Sequence, residues 1–261
     1  MRMPVLFVSH GAPTLALDPG DTGVVWRKLG EQLPIPSAIL VISAHWETRI
    51  PTVSRAVQPE TIHDFSGFPA ELYKLQYPAP GAPETAQAAA TALQQAGIPV
   101  QVDDFRGLDH GAWVPLSLMY PQADIPAAQL SLQPDKDPAW HIALGRALRP
   151  LREQGVLIVG SGSITHNLRE VFKHPRGEPV PAWVTEFCDW ITQRISAGDL
   201  AALSAYRTLA PRAVQNHPTD EHLLPLFVAL GAADRIDSAQ HLNHVITYGL
   251  LAMDMWVFDP L

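Results

Sequence analysis

The 261-residue chain has a single cysteine, Cys188, and so cannot form an internal disulfide. One thiol also excludes zinc and iron–sulfur sites built from several thiolates. A chain without disulfides is typical of a reducing compartment, and we therefore expect a cytoplasmic protein. Any metal site must therefore be built from nitrogen and oxygen ligands.

The sequence also lacks a long hydrophobic run. A membrane span needs roughly eighteen uninterrupted apolar residues, and the best candidate, near the C-terminus, is interrupted by Asp254. The residues after Met1 lead directly into a short apolar segment that stops at Ser9, which is unlike a secretory signal peptide. We therefore expect no membrane association.

Charged residues are sparse, and basic residues are the minority among them. Lys and Arg number 18 against 26 Asp and Glu, which gives a net charge of −8 with no dense basic cluster. This charge balance disfavours nucleic-acid binding. Charged residues make up 17% of the chain and apolar residues 47%, which is typical of compact globular proteins and not of disordered or coiled-coil ones.

Proline and histidine are the residue types present in quantity. The 25 prolines are about twice average usage and predict many rigid loops. Eleven histidines offer both metal-binding nitrogens and proton-transfer groups. The functional question is therefore which histidines act as ligands or catalysts and which have a structural role.

Runs rich in β-branched residues alternate with helical patterns along the chain. The predicted strands are Val5–Ser9, Ala38–Ser43, Ile98–Val102, Val156–Gly160, His241–Tyr248 and Ala252–Phe258. The predicted helices are Val24–Leu33, Pro83–Ala96, Pro138–Arg152 and Pro181–Ile195. The alternation predicts an α/β fold whose sheet is covered on both faces, in one domain over residues 1–261. The loops Gln58–Gly81 and His174–Pro181 are long enough to carry function or cover a site.

Three predicted strands end in the same way. His10 follows the first strand, His45 follows Ser43 at the end of the second, and the strand ending at Gly160 leads through a short loop to His166. Ligands of open α/β sheets collect outside the carboxyl ends of the strands, so these side chains are predicted to converge at one rim. For each histidine alone, a loop residue bonded to a nearby carbonyl is an equally good interpretation.

Two more histidines lie in unusual settings. Asp109 and His110 lie between glycines, where the backbone can approach a ligand closely. The alternative interpretation of this segment is a helix start capped by Asp109.

His222 precedes the apolar segment Leu223–Leu230, whose Pro225 fits only the first turn of a helix. The helix dipole there favours a neutral imidazole, which is the metal-binding form. From this stretch alone, a plain capping segment is the better interpretation.

Seven motifs, in register along the chain, resemble those of one known family. They are Ser9-His10-Gly11-Ala12-Pro13, Ser43-Ala44-His45-Trp46-Glu47, His63-Asp64-Phe65-Ser66-Gly67-Phe68-Pro69, Gly107-Leu108-Asp109-His110-Gly111-Ala112-Trp113, Gly160-Ser161-Gly162-Ser163, His166-Asn167-Leu168 and Asp220-Glu221-His222. Together they resemble the 4,5-DOPA extradiol dioxygenases, a single-domain branch of the class III, LigB-like ring-cleaving dioxygenases. The resemblance spans roughly residues 4 to 258 and implies a three-layer α/β/α fold around a central mixed sheet.

The resemblance also implies roles for five histidines. By position, His10, His45 and His222 correspond to the ligands of a mononuclear divalent metal. His166 corresponds to a catalytic base or, in zinc-bound members, to a fourth ligand. His110 corresponds to a second active-site histidine that contacts substrate or oxygen and assists proton transfer.

Three further residues are predicted to contact the substrate. Asp109 adjoins His110, while Trp46 and Phe65 are expected to wall an aromatic pocket, with core packing as the alternative for each aromatic. Six histidines are predicted to be structural, namely His63, His141, His174, His217, His241 and His244. His63 is the most open of these assignments, because its loop belongs to one of the seven motifs.

The implied reaction inserts O₂ into a DOPA-like catechol next to the diol and yields a muconic semialdehyde. Fe(II) is the metal expected for activity, and Zn(II) is expected in purified protein, since an all-histidine ligand set suits both. Two alternatives stay open, a zinc-dependent hydrolase and a non-catalytic binding protein on the same fold. The sequence does not choose between 4,5- and 2,3-cleavage, and it gives no oligomeric state.

Overall fold

The structure, a computed structural model, describes residues 2–175 and 177–259, apart from the side chain of Asp237. Within these residues the strands are β1 (Val5–Ser9), β2 (Ala38–Glu47), β3 (Thr52–Ser54), β4 (Gln101–Asp103), β5 (Ala127–Leu132), β6 (Val156–Gly162), β7 (Gln240–Asn243), β8 (Ile246–Thr247), β9 (Leu251–Ala252) and β10 (Met255–Phe258). Eight of them form one mixed sheet in the order β4-β3-β5-β2-β6-β1-β10-β7, and β8 pairs with β9.

Helices cover both faces of the large sheet. They are α1 (Gly20–Gln32), α2 (Pro83–Gln95), α3 (His110–Met119), α4 (Pro138–Leu148), α5 (Leu168–Val171), α6 (Ala182–Ser196), α7 (Leu200–Ser204), α8 (Tyr206–Leu209), α9 (Ala213–Asn216) and α10 (Leu224–Ala232). Short 3₁₀ helices lie at Pro13–Ala16, Leu72–Lys74, Arg149–Gln154 and Ile236–Ser238. In the described part of the chain, no helix combines the length and apolar character needed to cross a membrane.

The alternation of side chains along each strand builds two separate hydrophobic cores. On β1, Val5 and Phe7 pack into the core that also contains buried residues of α2, α4, α6 and α10. Leu6 and Val8 point to the opposite face and pack with residues of α1 and α3. A strand buried on both faces is typical of the interior of an α/β sheet. The predicted α/β fold, with three layers and a central mixed sheet, is confirmed.

Strands β2, β6 and β1 are neighbours and run parallel. In this register Ser43 lies opposite Ser161, and Ser9 lies opposite Gly162, so the carboxyl ends of the three strands meet at one rim. His10 directly follows β1 at this rim. The predicted convergence of the three strand ends is confirmed.

Helix α10 lies directly against β6 because β6 carries glycine where the two meet. A side chain at Gly160 or Gly162 would collide with the backbone of Pro225 or of His222, respectively. The Ser163 amide donates a 2.8 Å hydrogen bond to the His222 carbonyl, which fixes His222 beside the rim. Pro225 lies in the first turn of α10, as its missing N–H requires.

The structure also shows elements that the sequence pattern did not predict. Strand β5 is buried along its whole length but has the sequence AAQLSL, which contains no β-branched residue. Strand β3 has only three residues. The predicted strand His241–Tyr248 divides into β7 and β8, and the predicted helix Pro138–Arg152 ends as α4 at Leu148 before a 3₁₀ turn that contains Pro150.

His141 makes the stability of this fold depend on pH. Burial lowers its pKa to about 4, and its ring bridges the Asp137 carbonyl and the Gln133 amide. The unfolded chain binds this proton near pH 6.5 and the native chain only near pH 4, so acid favours unfolding progressively between those values. We expect His141 to cost roughly 2 kcal/mol of unfolding free energy between about pH 7.5 and about pH 5.

Denaturant unfolding at the two pH values measures the loss, and imidazole ¹⁵N spectra follow His141 itself. The ring should stay neutral at pH 5, with its proton on Nδ1, which donates to the Asp137 carbonyl. Titration of His141 with a midpoint near 6.5 would contradict the prediction.

Candidate active site

The five histidines predicted to act in the site line one cavity of about 930 Å³, the size of a pocket for a small organic ligand. His10, His45, His110, His166 and His222 all face this space. Both predicted loops contribute to its walls, as the lining includes residues 64–66 and 68 from the first loop and 174, 175, 177 and 178 from the second. The two long loops therefore cover the rim of the sheet.

The histidine rings form one contiguous group. The ring centres of His10 and His45 lie 4.9 Å apart, those of His45 and His222 4.9 Å, and those of His10 and His222 5.4 Å. His110 lies 3.9 Å from His45 by the same measure. His166 stacks on His222 at 3.4 Å with an angle of 8° between the ring planes.

The potential ligand atoms fall into two subsets, within each of which they lie no more than 4.8 Å apart. One subset contains His10, His45 and His110, and the other contains His166, Glu221 and His222. The structure therefore brings all five histidines together. Of the three predicted ligands, however, His10 and His45 fall in one subset and His222 in the other.

A hydroxyl fixes the tautomer of His10. The Ser161 hydroxyl donates a 2.5 Å hydrogen bond to the Gly111 carbonyl, so its proton is already committed. His10 Nδ1, 3.0 Å from the same oxygen, must then be the donor in their contact. The His10 Nε2 atom is left with a free lone pair.

Carboxylates hold three of the other rings by the same nitrogen. Asp64 Oδ1 accepts from both the backbone amide and Nδ1 of His110, at 3.0 and 2.9 Å, and Asp64 Oδ2 lies 3.4 Å from His45 Nδ1. His222 Nδ1 contacts Glu221 Oε1 at 3.0 Å. Carboxylate–histidine pairs of this kind orient imidazoles that bind metals.

Asp64 and Glu221 contact histidines of the site, and sequence reasoning assigned neither of them. Both belong to the quoted motifs, and each is adjacent in sequence to a histidine. The presence of an acidic residue in a histidine motif could have indicated these contacts. It does not identify the partner, however, because Asp64 contacts His110, 46 residues away, and not its neighbour His63.

Burial keeps the imidazoles neutral. It lowers the pKa of His10 and of His222 well below the usual 6.5, and neighbouring histidines lower both further. Burial and the nearby His110 lower the pKa of His45 to about 4. Burial lowers the pKa of His166 to about 4. Neutral imidazole is the form that binds a metal.

Asp64 is ionised in the same surroundings. Burial acts to raise the pKa of its carboxyl, but the hydrogen bonds from His110 outweigh burial and hold the pKa at about 2. The cluster therefore combines neutral rings with a negative charge behind them.

The closest approach in the cluster fits a divalent metal. The Nε2 atoms of His10 and His45 lie 3.0 Å apart, while each Nδ1 faces an oxygen atom. Since His10 Nε2 carries a lone pair, either a proton on His45 Nε2 or a cation beside both atoms satisfies this approach. Nitrogens bound to one ion at about 2.0–2.1 Å can lie about 3 Å apart, so the donor set suits a metal such as zinc or ferrous iron.

Two of the predicted substrate-binding residues lie outside the cavity. Asp109 is fully buried, where it accepts hydrogen bonds from Ser43, Gln129 and Arg106 at 2.6, 2.7 and 3.0 Å. Asp109 is the N-cap residue of α3 but its side chain bonds no amide of that helix. Trp46 lies under the Arg106 guanidinium, 5.1 Å away, at a separate depression. Neither side chain lines the cavity that the five histidines share.

The third predicted substrate contact, Phe65, does line the cavity, with its ring edge-on to His110 at 5.6 Å between centres. His174, which was predicted to be structural, lies in the cavity wall as well. Its Nε2 is buried and has no hydrogen-bond partner among the described residues. His174 therefore lies where it can contact a ligand, a position that the sequence did not indicate.

Comparison with known proteins decides the family. Residues 5–253 match the family model described as the catalytic LigB subunit of aromatic ring-opening dioxygenase. The chain belongs to this LigB family. Members of the family depend on a metal, and the described histidine cluster supplies a site for one.

Named relatives of this LigB-family chain cover nearly its whole length. A Beta vulgaris protein named 4,5-DOPA dioxygenase extradiol is 43% identical over 97% of this chain and 95% of its own. An Escherichia coli K12 protein of the same name is 44% identical over 89% of this chain and 86% of its own. A crystal structure of an uncharacterized Escherichia coli K12 protein matches with a TM-score of 0.82 and 37% identity, covering 98% of this chain and all of that one.

These similarities confirm the predicted family and the predicted enzyme class. The protein is an extradiol ring-cleaving dioxygenase of the LigB type. The hydrolase and binding-protein alternatives are therefore set aside.

The hydroxyl of Ser161 is expected to support metal binding through His10. A Ser161→Ala variant leaves His10 Nδ1 without its partner, and we expect metal affinity to fall by about 10- to 100-fold. Ser163→Ala is the matched control, because the Ser163 hydroxyl also lies at the cavity but donates to the Thr165 carbonyl. Calorimetric titration of metal-free protein with Zn²⁺ measures both variants. Equal affinities for the two variants and the unmodified protein would refute the role of Ser161.

Proposed function

We propose that this protein opens the ring of a substituted catechol such as DOPA, next to the diol, at a single divalent metal held by His10, His45 and His222. The observation that carries the proposal is the pair of Nε2 atoms of His10 and His45, which face each other at 3.0 Å with both Nδ1 atoms turned to oxygen. The names of the relatives supply the substrate class. Residues 1–261 would act as one catalytic domain on a small molecule and O₂, without nucleic acid.

His222 suits the third ligand position better than His110. Glu221 holds its ring, and the Ser163 amide holds its carbonyl beside the end of β6, the strand that lies between β2 and β1. The three ring centres then form a nearly equilateral triangle, with sides of 4.9, 4.9 and 5.4 Å. His110 is left free to meet the substrate.

The proposed active metal is Fe(II), with Zn(II) as the expected occupant of purified protein. When bound, ferrous iron would hold the diol oxygens and O₂ side by side and pass electron density between them. The all-histidine ligand set binds zinc equally well, but zinc does not support the redox chemistry.

His166 is the proposed base for the catechol hydroxyl. Its pKa of about 4 keeps the ring neutral at physiological pH, so it has a lone pair available. Glu221 Oε1 lies 3.9 Å from His166 Nδ1 and favours a proton on that nitrogen. The catechol proton would then be accepted at Nε2. If zinc were bound by the other three histidines, the same lone pair would let His166 serve as a fourth ligand.

His110 is the proposed proton donor on the other side of the cavity. Asp64 holds its Nδ1 at 2.9 Å and stays ionised, with a pKa of about 2. A proton taken up by the other ring nitrogen during the reaction would give an imidazolium paired with this carboxylate, and that N–H could donate to oxygen that gains charge. The pair is also fixed in place, because Asp64 binds the first amide of α3.

Aromatic side chains shape the proposed substrate pocket. Phe65 and Phe68 contact each other edge to face at 5.4 Å between ring centres, and both line the cavity. Phe65 also contacts His110. A catechol ring that enters between these aromatics and the histidines would therefore lie next to the proposed proton donor.

An oxygen-dependent colour change tests the proposal. Metal-free protein loaded with Fe(II) and mixed with DOPA under air should form the yellow semialdehyde, while the same mixture without O₂ should not. Protein loaded with Zn(II) is the matched control and should stay colourless. Substrate turnover that survives the removal of O₂ would indicate hydrolysis and refute the proposal.

A further inference from the structure

A second group of potential metal ligands lies away from the active site, at the β7 edge of the sheet. The ligand atoms of His241, His244 and Asp254 lie within 4.8 Å of one another. His241 Nε2 contacts Asp254 Oδ1 at 2.6 Å, and the two imidazole centres lie 3.8 Å apart. In the described part of the chain, none of the three is among the residues that line the active-site cavity.

The buried carboxylate of Asp254 has no Arg or Lys partner among the described residues. Asp109 and Asp254 are the two buried carboxylates among the described residues. Asp109 has the Arg106 guanidinium at 3.0 Å. The only charged-group contact of Asp254 within the described residues is with His241. Buried carboxylates are normally paired with a cation or bound to a metal.

The surrounding structure holds the three side chains in place. His241 lies opposite Trp256 on the neighbouring strand, and their rings stack at 3.8 Å with 8° between the planes. The buried Asn243, between the two histidines in sequence, donates a 2.6 Å hydrogen bond to the Met253 carbonyl. This bond fixes the histidine segment against the residue that precedes Asp254. Preorganised ligands lose little freedom when a metal binds.

We propose that His241, His244 and Asp254 form a second binding site for a divalent transition metal of the Zn²⁺ or Ni²⁺ class. Two imidazoles and a carboxylate are ligands that such ions accept. His244 is exposed and gives the ion a route of entry, while the buried Asp254 supplies the negative charge. Ligands on one ion lie about 3 Å apart, so the 2.6 Å contact of His241 with Asp254 needs only a small separation.

The ion would tie the edge strand to the segment that supports the catalytic site. The Asp254 carbonyl accepts a 3.0 Å hydrogen bond from the Ser9 amide, directly before the proposed ligand His10. Tyr248 and Leu251, between His244 and Asp254 in sequence, line the catalytic cavity. Metal at this second site should therefore stabilise the fold next to the cavity without taking part in the reaction.

The stoichiometry of Zn²⁺ binding tests this proposal independently of ring cleavage. Metal-free full-length protein, dialysed against Zn²⁺ and analysed for bound metal, should hold two equivalents. His244→Ala changes an exposed side chain, and Asp254→Asn keeps an amide oxygen that accepts from His241. Each variant should hold one equivalent and lose at least tenfold in affinity at the second site.

The reciprocal variant separates the two sites. His45→Ala should lose the catalytic equivalent and keep the second one, while His45→Ala combined with Asp254→Asn should keep neither. Circular dichroism confirms that each variant is folded, and His244→Ala answers the question if Asp254→Asn does not fold. A single equivalent in the unmodified protein, or two equivalents that persist in both His244→Ala and Asp254→Asn, would overturn the proposal.

Discussion

A His110→Ala variant should retain its metal but lose ring-cleavage turnover, with kcat lower by about 10²- to 10⁴-fold. Asp64 holds the Nδ1 atom of His110 at 2.9 Å, so the other nitrogen faces the cavity and can donate a proton. The alanine variant removes this donor without touching His10 or its contact with Ser161. Steady-state kinetics of iron-loaded protein, together with metal analysis of the same sample, measure both parts of the prediction.

Asp64→Asn is the matched control for the charge behind His110. The amide oxygen can still accept from the α3 backbone, so the helix start is preserved, but the negative charge is gone. We expect a loss of kcat smaller than that of His110→Ala, because the proton donor is still present but its charged partner is not. A His110→Ala variant that cleaves the ring at the full rate, or that fails to hold metal, would contradict the proposed role.

The second large effect concerns the proposed metal ligands. His45→Ala and His222→Ala should each lower the affinity of the catalytic site for metal by roughly a hundredfold or more, since a zinc site of four ligands contributes about 10–16 kcal/mol in total. Ring cleavage should fall with the metal and return only in part at high Fe(II). Calorimetric titration of metal-free protein with Zn²⁺ measures the affinities.

The comparison of His222→Ala with His110→Ala decides the third ligand. The nitrogens of His110 lie in the same tight subset as those of His10 and His45, whereas His222 groups with His166 and Glu221. Loss of metal in His222→Ala, and not in His110→Ala, is the expected result. The reverse pattern would assign His110 to the metal and would leave the proposed proton donor without a basis.

The histidines of the site could be predicted from the sequence because they follow a simple rule of sheet geometry. Val5–Ser9 and Val156–Gly160 contain the short apolar, β-branched runs typical of a buried strand, and polar residues after parallel strands meet at one rim. The family resemblance then extended the set to His110 and His222. All five line one cavity in the structure.

The positions of Trp46 and Asp109 show that a motif does not reveal which way a side chain points. Trp46 follows His45 directly, and β2 continues through both residues to Glu47. Successive side chains of a strand point to opposite faces, so Trp46 turns away from the cavity that His45 faces. Asp109 likewise precedes His110 but is used to bind Arg106 and Ser43 inside the fold.

Hydrogen-bond partners that lie far apart in the chain could not be predicted from the sequence either. Asp64 reaches His110 across 46 residues, and Ser161 reaches His10 across 151. Local patterns carry no information on such pairs. Strand β5 was missed because its alanines and its buried Gln129 resemble neither a strand run nor a loop, and only the neighbouring β2 and β3 give it a place in the sheet.

The fate of both atoms of O₂ tests most directly whether this site performs extradiol ring cleavage. Fe(II)-loaded protein should be mixed with DOPA under isotopically labelled O₂, and the product should be trapped by reduction before its aldehyde oxygen exchanges with water. Mass spectrometry should then find two labelled oxygen atoms in the ring-opened product. A product without label, or an intact ring after metal loading has been verified, would contradict the assignment of this site to extradiol ring cleavage.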